Sequence, residues 1–268
     1  MKKERKFGSI FTLAAMLIFF YGPIIVMIIF SFNSSKSLTS WTGFSTDWYS
    51  KLFESRDIMD AVSNSVSIAI IATIISTIVG TLTAIGISRH KPIVRKIYLN
   101  INNLPVLNPE IVTAIGLMLL FISLPMLDKG YMTMLIAHIT FCTPYVILTV
   151  LPKLRSLDPS IADAAMDLGA TPFAALRKVI LPQLTPAIIS AALIAFTMSF
   201  DDFVISYFTT GNGVSNISIY VYTMSKRINP MINALSTIIV VIITIALILI
   251  NVLPLIVKKK DKRKVETI

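Results

Sequence analysis

Charged side chains are scarce in this sequence: 14% of its 268 residues are Asp, Glu, Lys or Arg, against 55% hydrophobic ones. A soluble domain carries about 25% charged residues, so the composition excludes an ordinary water-soluble fold and points to a membrane protein. Cysteine occurs once, as Cys142, which excludes an internal disulfide and leaves the redox compartment open. There are only two histidines. His138 and Cys142 stand four apart on one helix face, but His90 lies in a different loop, so a four-ligand metal site is not expected. His138 reads instead as a packing or hydrogen-bonding residue. No G-x-x-x-x-G-K-[ST] phosphate loop occurs, so no nucleotide hydrolysis and no catalytic residue is assigned to this chain. The first apolar run reaches about Phe32, beyond the roughly 7–15 residues of a signal core, and no A-x-A cleavage site follows it. It is expected to be a retained helix. With no convincing internal repeat and no Gly/Ser- or Pro-rich linker, one integral domain over 10–257 is expected.

What the sequence does have is long apolar runs. Six reach the roughly 20 residues a bilayer crossing needs, near 10–32, 62–88, 99–124, 131–151, 184–208 and 235–257. The expected class is therefore an all-α polytopic membrane protein of six transmembrane helices. The formal charge of +10 could indicate nucleic acid, but the basic residues cluster at the ends of apolar runs, where they act as topology signals. Four lie in the N-terminus 1–9, four after the second run, four in the 152–183 loop and six in the tail 258–268. These total 18 of the 24, leaving Lys36, Lys51, Arg56, Lys129, Lys226 and Arg227 for the other side. Both termini and the 152–183 loop are thus expected on the cytoplasmic side.

That loop has a pattern of its own. Asp158, Pro159 and Ser160 supply a helix start. Ile161, Ala164, Ala165 and Leu168 then share one face, and Gly169 ends the helix where a left-handed backbone is cheapest. Thr171 and Pro172 read as the cap and first residue of a second short helix running to about Ile180. On the other side, the 33–61 loop holds Trp41, Phe44, Trp48 and Tyr49, with 46–53 as its helical part. Its aromatic rings suit anchoring at the membrane interface. The stretch Lys226 to Pro230 is either a solvated loop or a contact for an external protein.

Few acids fall within the apolar runs, and those few carry information. The third run contains Asn102, Asn103, Pro105, Asn108, Pro109 and Glu110 in its first half. On a straight helix Glu110 would lie roughly 16 Å above Leu99, near the bilayer midplane. The fifth run contains Asp201 and Asp202, roughly 22–24 Å from Leu184. Ser199, Asp202 and Ser206 recur at i, i+3, i+7 as one polar stripe, while Asp201 lies on the adjoining face. An ionised acid in hydrocarbon costs a few kcal/mol, so these carboxylates are expected to face a wet pathway. Helix capping by the aspartates and a structural hydrogen bond from Glu110 are the competing roles. The run Phe203, Val204, Ile205 argues for a continuing helix.

The spacing in the cytoplasmic loop resembles the EAA loop of ABC-importer permeases: Asp163, Ala164, Ala165, then Gly169, then Val179, Ile180, Leu181, Pro182. Aspartate at 163 and valine at 179 are conservative departures from that pattern. The stretches 31–35, 41–49, 138–145, 167–170 and 199–202, with Asn229–Pro230 and 233–235, are similar to PotC-type permease subunits of spermidine/putrescine importers. The resemblance implies a type I ABC-importer permease (MetI-like) fold in the cell membrane of a prokaryote. It implies that Asp163, Ala164, Ala165, Gly169, Leu181 and Pro182 belong to a coupling loop docking on a cytoplasmic ATPase. The implied partners are a PotB-like second permease subunit, a PotA-like ATPase dimer that uses ATP and Mg, and an extracytoplasmic PotD-like polyamine-binding protein. No cofactor is expected on this chain. From charge logic, Glu110, Ser199, Asp201, Asp202 and Ser206 are the candidate pathway for a polycation, which needs nearby anions in a low dielectric. A different solute for the same importer role is the first alternative. A secondary transporter is the second; it would show broken helices in both halves, and a Pro-interrupted midplane site occurs only in the third run.

Overall fold

The computed structural model describes residues 2–37, 39–124, 128–158, 160–211, 213–225, 230–245 and 248. The chain divides into two compact units, Met59–Tyr220 and the combination of Met1–Ile58 with Val221–Ile268. Among the described residues regular structure is helical, apart from one isolated antiparallel bridge between Asn33 and Phe44.

In the unit that holds the N-terminus, α1 (Lys2–Phe30) is apolar throughout its Ile10–Phe30 part, whose side chains are largely exposed, Phe19 at 75%. Such a helix is stable in lipid or against a partner, not in water. Beyond it the chain turns tightly around Asn33, which is fully buried. The Asn33 side chain donates to the carbonyls of Ser37 (3.0 Å) and Ser40 (2.9 Å) and accepts from the Thr42 amide (2.9 Å). The α2 helix (Asp47–Glu54) then lies where the aromatic loop predicts one. Trp48, expected at the membrane interface, is instead 6% exposed, and its indole N–H donates to the Asn33 carbonyl at 2.6 Å. A buried indole needs such a partner, and here it locks the loop. Trp41 and Phe44 remain outside. In the same unit α12 (Met231–Ile245) begins the last apolar run. Residues 246–257 apart from Ile248, the tail 258–268, Pro159 and the 226–229 loop fall outside the described residues.

The other unit is organised on α6 (Tyr131–Arg155), whose Ala137, Phe141, Cys142, Val146 and Val150 are buried. Ala191 and Ala195 of α9 (Leu181–Phe200) form part of the same core, as do Ala114 and Phe121 of α5 (Glu110–Ser123). Small residues let helices approach closely where lipid supplies no hydrophobic drive between them. The same logic governs α3 (Arg56–Arg89): a Cβ on Gly80 would lie 2.6 Å from Val146 Cγ1, so α3 packs there only as glycine.

Two of the expected straight spans are broken. The third is α4 (Pro92–Leu107) followed by α5, bent by 102°. Pro109 has no N–H to continue the ladder, and Asn108 before it is held extended at ψ 147°. The straight-helix depth of Glu110 therefore does not apply. In the fifth, α9 stops at Phe200 and α10 (Val204–Thr209) restarts after a three-residue break.

The elements of the 152–183 loop follow α6. Helix α7 (Ser160–Asp167) ends at Gly169, whose φ is +89°. The Ala170 amide returns to the Ala165 carbonyl (3.1 Å) in the hydrogen bond of a Schellman cap. Thr171 accepts from the Ala174 amide at 3.2 Å and opens α8 (Pro172–Ala175). The second helix does not end near Ile180: it passes through a π turn, Leu176–Ile180, into α9. Pro182 cannot donate to the preceding turn, and a wider turn just before it accommodates that loss.

A buried polar cluster at one end of α9 and a capped turn at the other

The break after Phe200 is made by Asp202. Its Oδ1 accepts from the Ile205 amide (3.2 Å), and its Oδ2 accepts from the Ser206 amide and hydroxyl (both 2.7 Å). These bonds satisfy the orphan donors of the first turn of α10, as an N-cap does. Asp202 is 5% exposed, so its charge needs partners. They come from α6, where His138, itself 1% exposed, places Nε2 3.4 Å from Asp202 Oδ2. The His138 ring also spans two serines, with Nδ1 2.7 Å from Ser199 Oγ and Nε2 2.9 Å from Ser206 Oγ. Ser206 spends its one hydrogen on Asp202, so His138 Nε2 must be the protonated nitrogen toward it. Asn216 closes the cluster by donating to the Asp202 carbonyl (2.9 Å) and Ser206 Oγ (2.8 Å), while its Oδ1 accepts from the Ile219 amide (2.8 Å). It thereby caps α11 (Ile217–Ser225).

Glu110, the first residue of α5, lies near enough to Asp202 for the two carboxyls to sense each other's charge. It is exposed where Asp202 is buried. Four of the five acids and serines marked on the sequence, Glu110, Ser199, Asp202 and Ser206, are thus brought together. The fifth, Asp201, is not: its side chain is exposed, and its backbone carbonyl accepts a long 3.5 Å bond from Ser218. The competing capping role is the one Asp202 fills towards α10. His138 was legible as a hydrogen-bonding residue, but not as the hub, because its partners lie 61 and 68 residues away. Nothing local marks Asn216. On α3 the hydroxyls of Thr73, Thr77 and Thr81 are buried with no hydrogen-bond partner. Their spacing of four aligns them on one face, a signal the sequence did carry. Among the described residues no group of three His, Cys, Asp or Glu could hold a metal ion.

At the other end of α9 the loop residues are presented outward. Asp163, Ala164, Gly169 and Pro182 are exposed, while Ala165 and Leu181 are half-buried. Two large apolar side chains flank the Gly169 turn in the open, Leu168 at 91% and Phe173 at 70% exposure. On this capped turn the two side chains are left without cover from the rest of the chain. The residue spacing puts Leu168 on one face with Ile161, Ala164 and Ala165, while nothing in the spacing singles out Phe173. At the start of the element, Ser160 donates its amide (2.9 Å) and hydroxyl (2.8 Å) to Asp158 Oδ1. These bonds hold the exposed Asp158 carboxyl below the ordinary aspartate range. Because that pKa is depressed, the cap contributes fully at neutral pH and weakens as the pH falls through it.

Residues 76–264 match the model of the binding-protein-dependent transport system inner membrane component family. The chain is 38% identical over 228 residues to the putrescine transport system permease protein PotI of Escherichia coli K12, covering 82% of this chain and 81% of PotI. To the spermidine/putrescine transport system permease protein PotC of the same organism it is 36% identical over 235 residues, covering 86% and 87%. A PotC homolog of Mycoplasma pneumoniae is 30% identical over 257 residues, with 91% of this chain and 88% of that one covered. In fold, the chain is similar to one in the crystal structure of a bacterial ABC transporter that imports the acidic polysaccharide alginate. The TM-score is 0.72 at 19% identity, over 91% of this chain and 94% of the other.

Proposed function

Because the chain belongs to the binding-protein-dependent transport system inner membrane component family, we propose that it is the membrane permease subunit of an ATP-driven ABC importer for polyamines. The cargo follows from the relatives, which are named for putrescine and spermidine, and from the paired carboxyls. Its place is the cell membrane, with both termini and the 152–183 loop in the cytoplasm. Its partners are a second, PotB-like permease subunit, a PotA-like ATPase dimer that consumes ATP and Mg, and a PotD-like binding protein outside. This chain supplies half of the pathway and no hydrolytic residue.

The observation that carries the proposal is the continuity of α9. It runs without a break for 20 residues from Leu181 in the loop to Phe200 beside the polar cluster, a rod of about 30 Å. Asp163, Ala164, Ala165, Gly169, Leu181 and Pro182 form the coupling element, and Leu168 and Phe173 give it apolar anchors for a groove on the ATPase. A push on that element is delivered along α9 to Ser199, hence to His138 and α10. At the cluster, exposed Glu110 meets an ammonium group of the cargo. Buried Asp202 deepens the negative potential behind it, Ser199 and Ser206 hold the network, and Asp201 offers a second, separate carboxylate. Acids at separate places accept the spaced charges of a polyamine stepwise, without one deep trap.

The test is the ATPase activity of the reconstituted four-component complex. Spermidine-loaded binding protein should stimulate it several-fold over unloaded protein. Stimulation by a different solute in place of polyamines would overturn the cargo. Uptake persisting with a disabled ATPase would overturn the importer.

A further inference from the structure

A cavity of about 410 Å³ opens where α4, the end of α6, α7 and the start of α9 meet. Arg95 of α4 and Arg155 of α6 reach it from two sides, with Ser88 and Gln183 as further polar lining. Neither guanidinium has a carboxylate within 4.0 Å among the described residues. The one acid in the lining, Asp158, already accepts two hydrogen bonds from Ser160. Two arginines against one committed aspartate leave the cavity with a positive surplus. Leu154 and Ile161 supply apolar lining to the same space. The cavity is therefore amphipathic, and it sits where the apolar helices α3 and α6 end, which for bilayer-spanning helices is where headgroups begin. Arginine binds phosphate oxygens in a two-pronged geometry, and basic pockets between cytoplasmic helix ends suit lipid headgroups.

We infer that this cavity binds a phosphate group, and that its source is the headgroup of an anionic phospholipid of the cytoplasmic leaflet. The leaflet assignment rests on the proposed orientation; the binding itself does not. The α7 helix forms part of the wall through Ile161 and Ala162. Ala162 also lines a second cavity of about 310 Å³, together with Arg89 and Asp163. A lipid seated in the first cavity would brace the coupling element from its inner side.

The experiment uses the complete importer in nanodiscs of phosphatidylcholine with or without phosphatidylglycerol. Native mass spectrometry counts the phosphatidylglycerol retained through graded delipidation, for wild type, Arg95→Gln/Arg155→Gln, and the charge-matched control Lys36→Gln/Lys51→Gln. Wild type and control should retain it, and the arginine double variant should retain roughly thirtyfold less, from the loss of two headgroup contacts. Arg95→Lys/Arg155→Lys keeps both charges and should retain an intermediate amount, which keeps the test open if the glutamine variant fails to assemble. Equal retention by all four proteins, or an equal loss in the lysine control, overturns the site. Displacement by millimolar inorganic phosphate or glycerol 3-phosphate, with no preference for the lipid, assigns a free phosphate and overturns the lipid source. ATPase stimulation by polyamine-loaded binding protein is measured on the same samples. Its failure in wild type would count against the cargo and not against the lipid site.

Discussion

Replacing His138 by alanine should be the most damaging single change in the polar cluster. The ring makes two hydrogen bonds, 2.7 Å to Ser199 and 2.9 Å to Ser206, and its Nε2 stands 3.4 Å from buried Asp202. Hydrogen bonds between membrane helices average about 0.6 kcal/mol and reach about 1.7, so the two together account for roughly 1–3 kcal/mol. Removing one partner of a buried pair costs about 3–5 kcal/mol, because the other charge is left without compensation. Here Asp202 keeps its bonds from Ile205 and Ser206, so the lower part of that range, about 3 kcal/mol, is the expectation. For a chain of this size that is about 6–12 °C in the unfolding midpoint. His138→Gln can still donate to Ser206 and should lose about half as much. The assay is the fraction of complex that elutes intact after stepwise heating, for His138→Ala, Asp202→Asn and the double variant. The double variant should fall short of additivity by at least about 1 kcal/mol, since each change removes the same contact. A midpoint for His138→Ala within 1 °C of wild type, or a strictly additive cycle, would refute the reasoning.

Three further outcomes follow from the same geometry. Gly169→Val places a β-branched residue at φ +89°, a strain of about 1–2 kcal/mol or more. The chain should insert normally while polyamine-loaded binding protein no longer stimulates ATPase activity, and wild-type uptake by this variant would remove Gly169 from the coupling element. Glu110→Gln should lower spermidine uptake more than putrescine uptake per assembled complex, whereas Asp202→Asn should lower complex yield and both uptakes together; equal losses tracking protein level in both variants would assign Glu110 to packing as well. In a Cys142→Ser background, a cysteine at Ser45 should react with an impermeant thiol reagent on whole cells and one at Ala174 should not. Labelling at Ala174 from outside would reverse the orientation.

What was legible in the sequence is what depends on neighbours in the chain. Gly169 and Thr171 announced a helix stop and a helix start because positive φ and N-capping are decided within four residues. The bend at Asn108–Pro109 was marked by its prolines, though not its angle of 102°. The break at 201–203 was hidden for the opposite reason. Phe203, Val204 and Ile205 read as an uninterrupted apolar run, while the cap that starts α10 is a side chain stabilised by His138, 64 positions earlier. Trp48 was misplaced likewise: an indole among polar residues suits an interface, and only the fold supplies the Asn33 carbonyl 2.6 Å away. Local caps can be read from a string of residues, and partners brought in by packing cannot.

The two broken spans meet at the same place, which bears on how the proposed push along α9 would become a change in the proposed pathway. Glu110 is the first residue of α5 immediately after the 102° bend, and Asp202 sits in the break between α9 and α10. A continuous helix would keep each carboxyl rigidly tied to its rod. At a break, the carboxyl belongs to the junction, and its position depends on the angle between two rods. Ser199 is on α9 itself, bonded to the His138 ring of α6, and the other ring nitrogen holds Ser206 of α10. Displacing α9 by about 1 Å against α6 would stretch the 2.7 Å bond to Ser199 past useful length. It can be kept only if the ring turns, which carries Ser206 and Asp202 with it. The exposed Glu110 would then lose or regain its buried neighbour, altering the local negative potential where an ammonium group is proposed to sit.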